Sequence, residues 1–267
     1  MRASAAERCD APARFLDAES VLPEPAELLQ RMLAKLEQRA KLDDSDRQAL
    51  LELPYRLVKA EPGQYLVREG ASTDHCMIIN AGLANRHKFT ADGARQIVSI
   101  HIPGDFIDLE GALLNVADHN VQALTRCEIA TVPSAALRSL FDHHPRVARA
   151  LWVDTLIDGS IFREWVMNVG RRDARERLAH IFCEFARRLE VAGLGSSSGY
   201  ELPMTQQQLA DSTGLTAVHV NRTLKAMDAE GLIERKRRFV FIPDWERLRD
   251  VAGFTDLYLH LDQAAAA

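Results

Sequence analysis

The chain lacks the features that mark membrane proteins, exported proteins and the common motif-bearing enzymes. Across its 267 residues no window approaches the roughly 18 uncharged apolar residues of a membrane-spanning helix. The first residues carry Glu7, Asp10 and Pro12 where a secretory leader needs a continuous apolar stretch, so export is not expected. Cysteine is scarce and scattered: Cys9, Cys76, Cys127 and Cys183 form no C-x-x-C pair. That disfavours a disulfide framework or a zinc knuckle and fits a reducing cytoplasm. An excess of positive charge is also missing, because 33 Lys and Arg against 38 Asp and Glu leave a net charge of −5. A surface that coats nucleic acid throughout is excluded, although a local basic patch is not. There is no P-loop, G-x-S-x-G, H-E-x-x-H or metal-spaced cluster, so the chain reads as a non-enzyme with no expected metal site.

What is present falls into successive blocks. Residues 1–30, rich in Ala, Glu and Pro, read as a loose extension. A helical pattern follows around Leu33–Leu36, and a second begins at Ser45, where Ser45 and Gln48 have capping-box spacing. From Tyr55 to about Val132, short apolar runs (65–67, 77–79, 97–100 and 129–132) are punctuated by Gly63, Gly70, Gly82, Gly93, Gly104 and Gly111. Short strands between turn glycines predict an antiparallel sandwich or roll, so residues 31–144 are assigned to one β domain. Pro145 suits the first turn of a helix, and Val147 to Val169 then reads as one helix of about 25 residues, roughly 37 Å long. Its apolar residues are too many for one face, which predicts burial on two sides. Leu151, Ile157, Ile161 and Trp165 are expected to face a second copy, with residues 145–170 as a dimerisation helix. A second helix runs from Asp173 to about Val191, followed by a flexible connection, Ala-Gly-Leu-Gly-Ser-Ser-Ser-Gly. A small unit fills the rest of residues 171–250, and residues 251–267 form a tail.

The informative segment starts at Met204. Thr205 with Gln208 makes a capping box, Gly214 permits a tight turn, and Thr216 can cap a second helix. This is a helix-turn-helix, with Val218, Val220, Leu224 and Met227 as its apolar positions. Ala217, His219, Asn221, Arg222 and Lys225 are expected on the exposed face, where Arg222 is the best candidate for reading a guanine edge. Thr205, Gln206 and Gln207 at the start of the first helix are expected near phosphate. Downstream, residues 231–242 alternate as a hairpin with a basic tip, Arg235 to Arg238, and Arg237 and Arg238 are expected to anchor it on phosphates. Double-stranded DNA is thus the expected partner.

These motifs, together with Pro62-Gly63-Gln64-Tyr65-Leu66, Glu69-Gly70, Ile79-Asn80-Ala81-Gly82 and Pro103-Gly104-Asp105-Phe106-Ile107, resemble the Crp/Fnr family of bacterial transcription regulators over about residues 35–250. The resemblance implies an α+β protein: an N-terminal cupin-like β-roll of the cyclic-nucleotide-binding type, a long dimerisation helix and a C-terminal winged helix-turn-helix. It also implies a cytoplasmic homodimer on an inverted-repeat operator, with RNA polymerase as a further partner for an activator. Two departures bear on the signal. Where cyclic-AMP-binding relatives place a ribose-binding glutamate, this chain has Leu109, with Glu110 one residue on. Where they place an Arg-Ser phosphate pair, it has Ala117-Asp118, followed by His119, and Phe162 stands on the long helix near the base position. Leu109, Glu110, Asp118, His119 and Phe162 are therefore the candidate effector pocket, but cyclic AMP in the usual mode is not expected. Cys9 alone in the N-terminal extension argues against an iron–sulfur cluster. The rival reading is a small-ligand receptor module that acts on a protein partner.

Overall fold

A computed structural model describes residues 29–72, 74–261 and 263. The extension expected over residues 1–28, with Cys9, lies outside the described residues. The glycine-punctuated block closes into two four-stranded sheets. Its strands are β1 Arg56–Ala60, β2 Tyr65–Val67, β3 His75–Ala81, β4 Ala84–Phe89, β5 Arg95–His101, β6 Phe106–Ile107, β7 Asn120–Ala123 and β8 Cys127–Pro133. One sheet has the order β1-β8-β3-β6 and the other β2-β7-β4-β5, with antiparallel pairing throughout. Side chains alternate across a strand. Met77 and Ile79 of β3 therefore join Ile107, Val121 and Ile129 between the sheets, while Cys76 and Ile78 face a helical layer. The turn from β3 to β4 requires glycine. Gly82 has φ +88°, and an added Cβ would lie 2.3 Å from the Arg126 carbonyl oxygen.

The helical layer consists of α1 Gln30–Glu37, α2 Asp44–Leu51, α3 Ser134–His143 and the first half of α4 Pro145–Arg171. The box expected from Ser45 and Gln48 forms two residues earlier. Asp43 accepts from the Asp46 backbone N–H at 2.9 Å, and Asp46 accepts from that of Asp43 at 3.2 Å. A carboxylate caps as well as a hydroxyl does, and Arg146 holds this pair in place.

The second half of α4 and α5 Ala174–Val191 cover the other sheet. Leu83, Ile97 and Ile100 of that sheet share one core with Ile157, Trp165, Phe182 and the C-terminal unit. Two expectations fail here. The segment read as flexible after Val191 forms strands β9 Gly195–Ser196 and β10 Gly199–Glu201, because buried Tyr200 donates its hydroxyl to the Phe182 carbonyl at 2.8 Å and pins the segment down. The residues read as a tail begin inside α8 Trp245–Ala252 and continue as a packed segment. Phe254 and Leu259 are buried in the core, and Tyr258 donates to Glu184 at 2.8 Å.

Helix α4 spans 27 residues, roughly 40 Å, and is apolar on two sides, but the residues expected to face a second copy lie on the inward one. Leu151, Ile157, Ile161 and Trp165 are at most 7% exposed and pack within the chain. Polar anchors on the same side fix that orientation. Asp154 meets Lys35 at 2.7 Å and Arg39 at 3.2 Å, and the Trp165 indole donates to Glu184 at 3.0 Å. The outward face carries Trp152, Leu156, Val166 and Met167, which are 69%, 59%, 74% and 43% exposed. Among the described residues no helix is long and apolar enough to cross a membrane.

Candidate nucleic-acid interface and sensor pocket

The helix-turn-helix is built from α6 Gln206–Thr213 and α7 Ala217–Ala229. Thr205 accepts from the Gln208 N–H at 3.2 Å, and the Gln208 side chain accepts from that of Thr205 at 2.8 Å, completing the expected box. Gly214 ends α6 in the left-handed region at φ +64°, and Thr216 caps α7 by accepting from the His219 N–H at 3.2 Å. Val220, Leu224 and Met227 are buried against α5 and α6, so the opposite face of α7 is left outward. Arg222 and Lys225 are exposed there, and Ala217, His219 and Asn221 are half-buried beside them. Val218 departs from expectation. It is 82% exposed on that same outward face rather than part of the core. Residue 218 lies one turn before Arg222, so the 3.6-residue period places the two together. An exposed isopropyl group there suits contact with a thymine methyl.

At the start of α6, Gln206 is exposed, whereas the Gln207 amide turns back to Asp211 at 2.7 Å. The wing consists of β11 Glu234–Lys236 and β12 Phe239–Phe241, which join β10 and β9 in a third sheet. Its four cations differ in availability. Arg235 is half-buried and donates to the Met204 carbonyl, Lys236 meets Glu234 at 3.3 Å, and Arg238 meets Glu201 at 3.0 Å. Arg237 sits exposed at the tip in the left-handed region, φ 56°, and has no ion pair among the described residues. It is the wing cation free to meet a phosphate.

In the sensor roll, four of the five expected pocket residues lie around one group, Arg86 of β4. Its guanidinium meets Glu110 at 3.0 Å and lies 5.8 Å from the centre of the Phe162 ring on α4. His119 Nε2 is 3.8 Å from Glu110, and its Nδ1 bonds the exposed Asp118 at 2.7 Å. Leu109 does not line this pocket. It packs among the helical-layer residues, and its carbonyl accepts from the Cys76 thiol at 3.8 Å. Sequence spacing gave no sign of Asp108, which enters from the short 3₁₀ segment Leu109–Ala112 that it precedes. It is 1% exposed, and burial beside Glu110 pushes its carboxyl up to about 6. Burial also pushes the Cys76 thiol up to about 12, which leaves it a protonated core cysteine. A cavity of about 400 Å³ opens elsewhere, between α1, α4, α5 and the C-terminal segment. Asp105 and Arg188 line it, and they are paired with each other at 3.1 Å.

Comparison with known proteins matches the two halves separately. Residues 57–144 match the cyclic nucleotide-binding domain and residues 176–251 the Crp-like helix-turn-helix domain. The chain belongs to the Crp/Fnr family. Among its relatives is the transcriptional activator protein FnrL of Cereibacter sphaeroides, 29% identical over 214 residues, covering 79% of this chain and 86% of that protein. The nitrogen fixation regulation protein FixK of Bradyrhizobium diazoefficiens is 29% identical over 179 residues, covering 67% and 74%. The solved structure of FixK2 from Bradyrhizobium japonicum superimposes with a TM-score of 0.70 at 24% identity, covering 76% of this chain and all 100% of that one. This Crp/Fnr protein is therefore a transcription regulator with a DNA-binding helix-turn-helix and a cyclic-nucleotide-binding-type roll.

Proposed function

We propose that the protein acts as a homodimer that reads an inverted-repeat operator in double-stranded DNA. One observation carries this reading: the outward face of α7 presents Val218, Arg222 and Lys225 while its inner face is locked into the core. A capped helix held in that way can enter a major groove without rearranging itself. Asn221 and His219 flank Arg222 for base contacts, and Thr205, Gln206, Thr216 and Arg237 stand at helix starts and the wing tip, where donors meet phosphates.

The second copy joins along the outward side of α4. Trp152, Leu156, Gly159, Arg163, Val166 and Gly170 recur at alternating spacings of four and three, the spacing of a coiled-coil seam. Exposed Trp152, Leu156 and Val166 on one seam form the kind of apolar surface that a soluble chain covers with a partner. In the cytoplasm such a dimer would recruit RNA polymerase at promoters it activates, in keeping with the activator FnrL among its relatives. A genome-wide binding map of the tagged protein tests the reading. Discrete sites sharing a two-fold symmetric sequence are expected. Uniform occupancy, or binding only through another protein, would sink it.

A further inference from the structure

Asp108, Glu110 and His119 each present one donor atom within 4.8 Å of the others. His119 Nε2 lies 3.9 Å from Asp108 Oδ1 and 3.8 Å from Glu110 Oε1. We infer that these three side chains form a binding site for a divalent first-row transition-metal ion, such as Zn²⁺, Fe²⁺ or Mn²⁺.

Three independent features point to a cation. First, both carboxylate oxygens of Asp108 and the Nε2 of His119 are buried without a hydrogen-bond partner. These residues are 1% and 3% exposed. Buried polar atoms are almost always satisfied, so unpartnered atoms on two side chains that face one another point to a missing ligand. Second, the imidazole is set up for coordination. Asp118 lies 2.7 Å from Nδ1 and takes its N–H, which leaves the Nε2 lone pair pointed at two carboxylates. Ligating histidines are commonly oriented by such a carboxylate behind the ring. Third, Asp108 adopts the left-handed region, φ 59° and ψ 37°, and this turn brings carboxylates two residues apart to the same imidazole nitrogen. Metal–ligand distances of about 2.0–2.2 Å place donors roughly 3–3.5 Å apart, so the pairs with His119 need to close by less than about 1 Å. Imidazole among the donors favours transition metals over Mg²⁺ or Ca²⁺. Half-buried Glu110 leaves the site open on one side.

Arg86 already meets the site as a cation, 3.0 Å from Glu110. A metal that takes Glu110 repels this guanidinium, which lies against Phe162 of α4. Metal capture thereby reaches the helix that joins the roll to the winged unit. This signalling half rests on the proposed DNA-binding function, whereas the metal site rests on geometry alone.

Isothermal titration of the chelator-stripped full chain tests the site, with Zn²⁺, Mn²⁺ and Mg²⁺ as probes. One Zn²⁺ or Mn²⁺ per chain is expected, with Mg²⁺ far weaker. Asp108→Asn and His119→Gln should each lose at least about tenfold in affinity, and Asp118→Asn should weaken binding by about 10–100-fold without removing a ligand. Bound Co²⁺ should show no sulfur charge-transfer absorption, which separates the site from Cys76. Should either ligand variant fail to fold by circular dichroism, the more exposed Glu110→Gln provides the same comparison. Equal binding by the wild type and folded variants, or no stoichiometric binding, overturns the site. DNA affinity is then measured by fluorescence anisotropy on duplexes selected from genomic DNA, with and without Zn²⁺ or Mn²⁺. A shift of at least threefold in the wild type, absent in Asp108→Asn, is expected, and an unchanged affinity overturns the signalling role. Metal binding without any DNA binding would instead sink the regulator reading and leave the metal site standing.

Discussion

Arg95 at the edge of the sensor sheet and Asp211 on α6 form an ion pair, with Nη2 at 2.6 Å and Nε at 2.7 Å from the same carboxylate oxygen. Both side chains are largely buried, and the same aspartate accepts from Gln207 at 2.7 Å. The pair ties the sensor roll directly to the first helix of the DNA-binding motif, in addition to the connection made by α4. The contact joins β5 to α6 without passing through the length of the long helix.

A double-mutant cycle on Arg95→Ala and Asp211→Ala should give a coupling of about 1–2 kcal/mol, because the residues touch and share one network. Urea unfolding of the four proteins measures it. Strict additivity would show that the contact contributes nothing to holding the two units together.

Trp152→Glu with Val166→Glu should convert the proposed dimer to a folded monomer, as seen by sedimentation velocity. Both residues are exposed in the single chain, so charge there leaves the core intact. Ile161→Ala should behave oppositely. It creates a cavity inside the chain and should cost about 2–5 kcal/mol in stability. A dimer that survives the double substitution would move the interface elsewhere.

Arg222→Ala should weaken binding to the cognate operator by about 1–3 kcal/mol and relax base choice at one position. Arg237→Ala should instead weaken all duplexes alike and reduce the salt slope by about one ion. Arg238, paired with Glu201, should show the smaller effect of the two wing arginines. Fluorescence anisotropy on cognate and scrambled duplexes across salt concentrations distinguishes these outcomes.

Acid should destabilise the fold well above the carboxylate range. Burial and nearby Arg95 hold His87 down to about 4, and burial with Arg86 nearby holds His101 well below its ordinary value. Both histidines take up protons on unfolding, so their contribution is intact above about pH 6.5 and is lost as the pH falls toward 4. Asp108, held up to about 6, works in the opposite sense, since its folded form is the first to protonate as the pH falls. Urea midpoints between pH 7.5 and 4.5 should therefore decline, and Asp108→Asn should steepen the decline. A flat profile in Asp108→Asn, where that opposing carboxyl is gone, would mean that neither histidine is held neutral by the fold.

The DNA-binding motif was the most legible part of the sequence because its signals are local. The capping box at Thr205 depends on residues three apart, the turn at Gly214 on one positive φ, and the cap at Thr216 on its own hydroxyl. The roll was legible as a class from its glycines, but strands such as β4, Ala84–Phe89, were not. Asn85, Arg86 and His87 on β4 are buried polar residues and show no hydrophobic alternation. The faces of α4 were misassigned for a related reason. Both sides are apolar, so periodicity gives two stripes without saying which one turns inward. That choice depends on Asp154 meeting Lys35 and Arg39, residues more than 100 positions away.

Local chemistry written into consecutive residues therefore specified the caps and turn of the helix-turn-helix, the wing and the family to which they belong, since such features need only neighbours a few positions apart. Long-range folding settled which stripe of α4 is free, drew the supposed linker and tail into the core, and gathered Asp108, Glu110 and His119 around a common point. No spacing rule foretells those outcomes, because each arises when separate strands and helices compete to bury surface and satisfy charge together.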